Sequence, residues 1–200
     1  DRYGGVFLSD VVGLGKTYIS ALLAQQLDGK TLIIAPPVLL EESNPGSWPN
    51  VFEDFGVRSW KAKSWGALDK LIENGVDDYK NVFIDESHLF RNTQTKRYAK
   101  LALICRGKRV ILISATPLNN SPNDIYAQLC LFQRPNKSTF ANAKNLTTYF
   151  NQLNANLNGL NRQENKEEYI KVVKSNSEKI RRDILREVMV RRTRSDIEKY

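Results

Sequence analysis

The chain has 200 residues, of which 41% are hydrophobic and 26% charged, and its formal net charge is +8. This composition excludes a broadly disordered chain, and the length suits one domain with at most a small appended part. The longest apolar runs have the length of a β-strand, so we expect no transmembrane helix, and we expect no secretory leader because a charged start is followed at once by the first motif. Cys105 and Cys130 fit no metal-binding spacing and are predicted to be reduced core thiols, as in cytosolic proteins.

The first predicted elements are a buried strand over residues 6–8 and a helix over residues 18–27. The turn between them contains Gly13 and Gly15, which let backbone N–H groups approach a polyphosphate at the helix N-terminus. The general phosphate-loop pattern has a glycine where this chain has Asp10. The loop alone is therefore a partial match to a phosphate-binding site.

Two residues at the end of this loop carry the chemistry of phosphate binding. Lys16 is placed to reach the β- and γ-phosphates of a nucleotide. The hydroxyl of Thr17 is placed to ligate Mg²⁺. We therefore expect ATP and Mg²⁺ as cofactors if a second half of the site follows along the chain.

Three further apolar runs, residues 31–35, 81–85 and 109–114, predict strands that are covered on both faces, as in a parallel sheet. A weaker run predicts another strand over residues 57–61. Helices are predicted between the strands, over residues 65–74, 95–105 and 123–132. The alternation predicts an α/β fold with a parallel sheet flanked by helices.

Two carboxylates, Asp85 and Glu86, follow the strand at residues 81–85. They are expected at the carboxyl edge of the sheet, where ligands bind in open α/β folds. Asp85 would hold Mg²⁺ opposite Thr17, and Glu86 would orient and deprotonate the attacking water. The alternative is an ordinary strand end capped by acids. Together with the glycine loop, the pair predicts an NTP-hydrolysing site.

The composition shifts to Asn, Lys and Glu after residue 135, and residues 136–200 hold 14 basic and 8 acidic side chains. A helical apolar stripe is formed by Leu146, Phe150, Leu153, Leu157 and Leu160, and a second by Ile170, Val173, Ile180 and Ile184. The two stripes predict a helical hairpin, packed on the sheet domain or projecting from it. The basic tail is either a nucleic-acid contact or a solubilising helical face.

Five stretches in order resemble the motifs of superfamily-two helicases, and in particular their SWI/SNF-like branch. DESH at residues 85–88 looks like the DExH box, and LSDVVGLGKT at residues 8–17 is similar to the branch's first motif, of which Asp10 is part. TLIIAPPVLL at residues 31–40 and SATPLNNS at residues 114–121 resemble two further motifs. VRRTRSD at residues 190–196 resembles the segment before the second lobe.

The resemblance implies the first of two RecA-like, P-loop NTPase lobes of an ATP-driven translocase on double-stranded DNA. It implies residues 1–135 as the ATP-binding lobe, residues 136–189 as a helical subdomain or protrusion, and residues 190–200 as an Arg-rich link to the second lobe. The implied ATP-binding residues are Gly13, Leu14, Gly15, Lys16 and Thr17. The implied catalytic residues are Lys16, Asp85 and Glu86. The implied ligands of the metal ion are Thr17 and Asp85.

The resemblance also implies residues that couple the ATP site to DNA. His88, Ser114 and Thr116 are the coupling residues, although each is otherwise an ordinary polar group satisfied locally. The implied DNA contacts follow strands, at Pro37, Val38, Ser64, Trp65, Arg91 and Asn92. As alternatives, the prolines simply end a strand, and Trp60 and Trp65 are core aromatics.

We expect the chain to be a fragment that begins in mid-motif and lacks the second lobe, and therefore to bind ATP weakly and hydrolyse it negligibly. The expected location is the cytoplasm or nucleoid of a bacterium, or the nucleus of a eukaryote. The rival interpretations are another superfamily-two helicase or restriction-type translocase, and a non-catalytic nucleotide- or DNA-binding module.

Overall fold

The computed structural model of the chain describes residues 2–9, 15–115, 121–160 and 163–191. Gly13, Leu14 and Thr116 are site residues from the sequence that lie outside the described residues. Residues 10–12 of the first motif, residues 117–120 and residues 192–200 also lie outside them. The described strands are β1 (Gly5–Leu8), β2 (Lys30–Ala35), β3 (Trp60–Ser64), β4 (Tyr79–Ile84), β5 (Arg109–Ile113) and β6 (Met189–Val190). They form one parallel sheet in the order β3-β2-β4-β5-β1-β6.

Helices connect these strands and cover both faces of the sheet. They are α1 (Lys16–Gln26), α2 (Trp48–Asp54), α3 (Leu68–Glu73), α4 (Lys96–Cys105), α5 (Pro122–Leu129), α6 (Leu146–Ala155), α7 (Lys166–Ile180) and α8 (Arg186–Val188). Short 3₁₀-helices span Pro37–Leu40, Trp65–Ala67 and Ser87–Phe90, and a π-helical turn spans Arg181–Leu185. The predicted α/β fold with a parallel sheet is confirmed. None of the described helices is long and apolar enough to cross a bilayer.

Both faces of β4 are buried, which explains why its sequence is a continuous apolar run. Phe83 packs with Ile33, Ile111 and the aromatic side chains of α2 on one face. Val82 and Ile84 pack on the other face, in a cluster that extends to α5 and α6. The centre of the sheet is therefore a rigid platform for residues that follow its strands.

The strand predicted at residues 57–61 lies three residues further along the chain, because the end of α2 takes up the first of these positions. The Val57 N–H donates to the Phe52 carbonyl oxygen at 2.9 Å. Gly56 and Ser59 then adopt φ angles of 60° and 56°, which turn the chain into β3. The sequence prediction also missed α2 itself.

The predicted hairpin exists as α6 and α7, and it packs on the sheet domain. The α6 side chains Leu146, Phe150 and Leu153 are buried in the same cluster as β4. Asn176 of α7 donates to the Leu153 carbonyl oxygen at 2.9 Å. The stripe ends earlier than predicted, since α6 stops at Ala155, before the last two leucines of the pattern. The proposed division at residues 135 and 189 stays a prediction.

Replacing Phe83 with alanine is expected to lower the free energy of unfolding by about 3–5 kcal/mol, because the ring is fully buried and leaves a cavity. The matched control is Leu103→Ala on α4, where the side chain is 46% exposed. Urea unfolding followed by circular dichroism measures both. Equal losses in the two variants would contradict this description of the core.

Candidate active site

The carboxyl ends of β1, β4 and β5 meet at one edge of the sheet. The loop that ends at Gly15 follows β1, Asp85 directly follows β4, and Ser114 directly follows β5. Parallel pairing keeps these strand ends level, since Leu8 is opposite Ile113 and Ile84 is opposite Leu112. The fold thus brings together three stretches that are far apart in sequence.

The N-terminus of α1 is shaped for an anion. Gly15 is the N-cap residue and has φ 69° and ψ 40°, a left-handed conformation that favours glycine. No acidic side chain lies in the first turn, so the partial positive charge of the helix end is not offset there. Lys16 begins the helix, two residues earlier than predicted, and its carbonyl oxygen accepts a hydrogen bond from the Ser20 hydroxyl at 2.8 Å.

Asp85 is a buried carboxylate, and each of its two oxygens accepts one hydrogen bond. The residue is only 6% exposed to solvent. Oδ1 accepts the Glu86 backbone N–H at 2.8 Å, and Oδ2 accepts the indole N–H of Trp48 at 2.8 Å. Burial raises the pKa of Asp85 above its usual value, while these hydrogen bonds and the positive charge of Lys16 lower it. The charge of Lys16 thus has a small effect on Asp85, in the direction that favours the carboxylate.

Glu86, His88 and Ser114 form a small polar group beside Asp85. The His88 Nδ1 atom lies 3.1 Å from Glu86 Oε2 and 3.1 Å from Ser114 Oγ. Nδ1 thus lies within hydrogen-bond distance of both a carboxylate oxygen and a hydroxyl oxygen. Glu86 has φ 49° and ψ 43°, an uncommon conformation for a residue other than glycine that is found at functional sites. Of the predicted coupling residues, His88 is therefore in contact with the predicted base, and Ser114 is linked to it through His88.

Two residues near the acid pair were missed in the sequence. Trp48 contacts Asp85 across 37 positions of the chain, and Gln128 of α5 accepts the Ser87 hydroxyl at 3.0 Å. Gln128 is fully buried and donates to the Asp124 carbonyl oxygen at 3.1 Å. The Ser-Trp-Pro sequence that begins α2 is a recognisable helix start, but nothing in it indicates the contact with Asp85.

The residues of the site are suited to Mg²⁺ that is bound together with a nucleotide. The described part of the chain holds no group of three or more His, Cys, Asp or Glu side chains that would form a closed metal site. Mg²⁺ is commonly held by one or two protein oxygens, with the remaining positions filled by phosphate and water. Thr17 and Asp85 offer one hydroxyl and one buried carboxylate, which is that kind of donor set.

The predicted DNA contacts lie at the same edge as the acid pair. Pro37 and Val38 begin the 3₁₀-helix after β2, and Val38 is 58% exposed. Ser64 ends β3, and Arg91 follows the 3₁₀-helix Ser87–Phe90, which comes directly after Asp85 and Glu86.

The aromatic side chains near this edge behave mainly as core residues. Trp65 packs edge-to-face on Phe90, with ring centroids 6.0 Å apart, and its indole nitrogen is buried. Trp60, which begins β3 at the opposite edge, packs in the same way on Phe52. Asn92 accepts the Gln94 N–H through its side-chain oxygen and so orders the turn before α4. Of the predicted DNA contacts, Pro37, Val38, Arg91 and Asn92 are therefore exposed, whereas Ser64 and Trp65 are partly buried.

Comparison with known proteins gives consistent matches. The model of the SNF2-related domain matches residues 66–200. A SWI/SNF-related matrix-associated actin-dependent regulator of chromatin, subfamily A-like protein 1, from Xenopus laevis is 31% identical over 147 residues, which are 64% of this chain and 15% of that protein. The uncharacterized ATP-dependent helicase YqhH of Bacillus subtilis is 26% identical over 153 residues, which are 65% of this chain and 26% of that protein.

A solved structure supports the fold over nearly the whole chain. The SWI2/SNF2 ATPase core of Sulfolobus solfataricus in complex with double-stranded DNA aligns with a TM-score of 0.56 and 19% identity, and covers 97% of this chain and 41% of that one. The chain thus spans less than half the length of each of these relatives.

Proposed function

The chain belongs to the SNF2-related domain family, and on that premise we propose that it is the first lobe of a DNA-dependent ATPase that translocates on double-stranded DNA. The observation that carries the proposal is the meeting of the α1 N-terminus with the buried acid pair. Lys16 follows β1 and Asp85 follows β4, two strands that end at the same edge of the sheet with only β5 between them. The charge of Lys16 also lowers the pKa of Asp85. A polyphosphate held at α1 would thus lie beside the groups needed to hydrolyse it.

Each residue of the candidate active site has a role in the proposed reaction. Backbone N–H groups at Gly15 and beyond bind the phosphates, and Lys16 contacts their oxygens. Thr17 and Asp85 would hold Mg²⁺, and the bound ion would neutralise negative charge on the phosphates. Glu86 accepts a proton from the attacking water. His88 holds the Glu86 carboxylate through Nδ1, so the position of that base depends on Ser114 at the end of β5.

The proposed activity needs a second RecA-like lobe. In the proposal, that lobe closes over the carboxyl edge and supplies arginines to the phosphates, a contribution worth ~10³–10⁵ in rate at related sites. The lobe described here is then expected to bind ATP weakly and to hydrolyse it negligibly by itself. Action in the cytoplasm, or in the nucleus of a eukaryote, is part of the same proposal.

Two alternatives predict different results. A strand-separating helicase would displace one strand of a duplex in an ATP-dependent reaction, whereas a duplex translocase would not. A non-catalytic binding module would show no turnover in the full-length protein. The intact set of Lys16, Thr17, Asp85 and Glu86 favours catalysis over the second alternative.

The DNA part of the proposal is tested by the salt dependence of binding. The logarithm of the DNA affinity of the full-length protein is expected to fall with log salt concentration by about 0.9 per phosphate neutralised. Arg91→Ala should reduce the slope by about one such unit, because Arg91 is exposed at the carboxyl edge. The matched control is Arg58→Ala, which removes an exposed arginine just before β3, at the opposite edge. Fluorescence anisotropy with labelled duplex measures the slopes, and a salt-independent affinity would contradict the proposal.

A further inference from the structure

The contact between Trp48 and Asp85 joins a helix with no assigned role to the acid pair. Trp48 is 1% exposed, and its Nε1–H donates to Asp85 Oδ2 at 2.8 Å. A hydrogen bond from an indole N–H to a carboxylate is charge-assisted, so it is stronger than one to a backbone carbonyl and favours the charged form of Asp85. The contact therefore acts on the charge and orientation of Asp85 as well as on the packing of Trp48.

The start of α2 is held firmly, so the indole is a fixed donor. The Ser47 hydroxyl caps the helix by accepting the Asn50 N–H, and Pro49 lies in the first turn. The Asn50 side-chain amide donates to the carbonyl oxygens of Glu42 and Asn44, each at 2.8 Å. The helix start is thereby tied to the segment that follows the 3₁₀-helix after β2.

The aromatic neighbours of Trp48 limit its rotation. Its ring centroid lies 5.5 Å from that of Phe52, which in turn contacts Phe83 at 6.4 Å and Trp60 at 5.6 Å. All of these rings belong to the cluster on one face of the sheet. The indole nitrogen is therefore presented to Asp85 from a packed aromatic group.

The two hydrogen bonds fix the plane of the Asp85 carboxylate. Oδ1 is held by the Glu86 N–H and Oδ2 by Trp48, and each oxygen keeps a lone pair for a further contact. Without the indole, Oδ2 would be buried without this donor, and the carboxylate would be free to rotate about its last torsion toward another partner. The orientation of the remaining lone pairs thus depends on Trp48.

We infer that Trp48 is a positioning residue for the nucleotide site, which orients Asp85 for the metal ion that accompanies ATP. The inference rests on the proposed function, since it gives Trp48 a part in that site. Partners that orient metal ligands in this way typically contribute about 10–100-fold to metal affinity or activity. A purely structural tryptophan would affect stability and leave the metal affinity of the folded protein unchanged.

The test compares Trp48→Phe with Trp60→Phe in the full-length protein. Both variants remove an indole from the same aromatic group around Phe52, but only Trp48 donates to Asp85. Electron paramagnetic resonance of Mn²⁺ with a non-hydrolysable ATP analogue measures metal affinity without turnover. We expect the Mn²⁺ dissociation constant to rise about tenfold in Trp48→Phe and to stay at the wild-type value in Trp60→Phe.

The other outcomes are each decisive. A wild-type dissociation constant in Trp48→Phe, or an equal rise in both variants, overturns the inference and leaves the proposed function standing. If the wild-type protein binds no Mn²⁺ with the nucleotide, the proposed function fails and the inference falls with it.

A second measurement keeps the inference testable if Trp48→Phe does not fold. ¹⁹F NMR of the otherwise unmodified protein containing 5-fluorotryptophan follows each indole, with assignment by Trp48→Tyr and Trp60→Phe. The resonance of Trp48 is expected to shift when Mg²⁺ is added to the nucleotide complex, and that of Trp60 to stay in place. No shift at Trp48 under saturating Mg²⁺ would overturn the inference.

Discussion

Replacing Glu86 with glutamine is expected to lower the rate of ATP hydrolysis by the full-length protein ~10²–10⁴-fold while ATP binding is retained. Glutamine has the shape of glutamate but cannot accept a proton from water. The Glu86 side chain is 41% exposed at the carboxyl edge and is held by His88, so it can reach a water molecule beside a bound phosphate. The phosphate-binding residues of α1 are untouched by this change.

Steady-state turnover and equilibrium binding of a fluorescent ATP analogue separate the two effects. The matched control is Glu73→Gln at the end of α3, where another exposed glutamate lies in a different element. Turnover of the control should equal that of the wild type. Full activity in Glu86→Gln would refute the role of Glu86 as base, whereas loss of binding would show that it acts in nucleotide recognition instead.

The conformation of Glu86 explains why this carboxylate faces the edge of the sheet. In a regular extension of β4, residues 85 and 86 would point to opposite faces. The left-handed backbone at Glu86 ends the strand and starts the 3₁₀-helix Ser87–Phe90. Asp85 is thereby buried against Trp48 while Glu86 stays accessible. Two adjacent acids thus obtain different environments, which is what separate roles in metal binding and proton transfer require.

The sequence was sufficient for those features that depend on local patterns. The runs at β2, β4 and β5 are continuous because both sheet faces are covered, so their strands could be placed within two residues. Asp85 and Glu86 could be assigned to the carboxyl edge because parallel strands end together. The helix start at α1 followed from the glycine turn.

Features that depend on tertiary contacts could not be predicted in this way. Trp48 contacts Asp85 across 37 positions of the chain, and Gln128 contacts Ser87 across 41. No periodic pattern in the sequence indicates either contact. β3 lies later than its apolar run indicated, since Val57 is used to end α2. The strand order also required the structure, because β4 lies between β2 and β5, while β1 pairs with β5.

Replacing Lys16 with alanine is expected to abolish ATP binding and turnover together. The ammonium group is the cation of the α1 N-terminus, and charge-assisted hydrogen bonds of this kind contribute roughly 1.5–3 kcal/mol each. The loss of two such bonds to the phosphates would weaken binding at least ~100-fold, since each 1.4 kcal/mol is a factor of ten. Glu86→Gln and Lys16→Ala should therefore differ in binding although both lose turnover.

The matched control for this change is Lys30→Ala at the start of β2. Lys30 lies at the opposite edge of the sheet, where its ammonium group contacts the ring of Tyr79 at 4.8 Å. Titration of each variant with the fluorescent ATP analogue, together with thermal unfolding, measures binding and folding separately. Wild-type ATP affinity in a folded Lys16→Ala protein would contradict the assignment of the nucleotide site to α1, and an equal loss in Lys30→Ala would assign the effect to net charge rather than to direct contact.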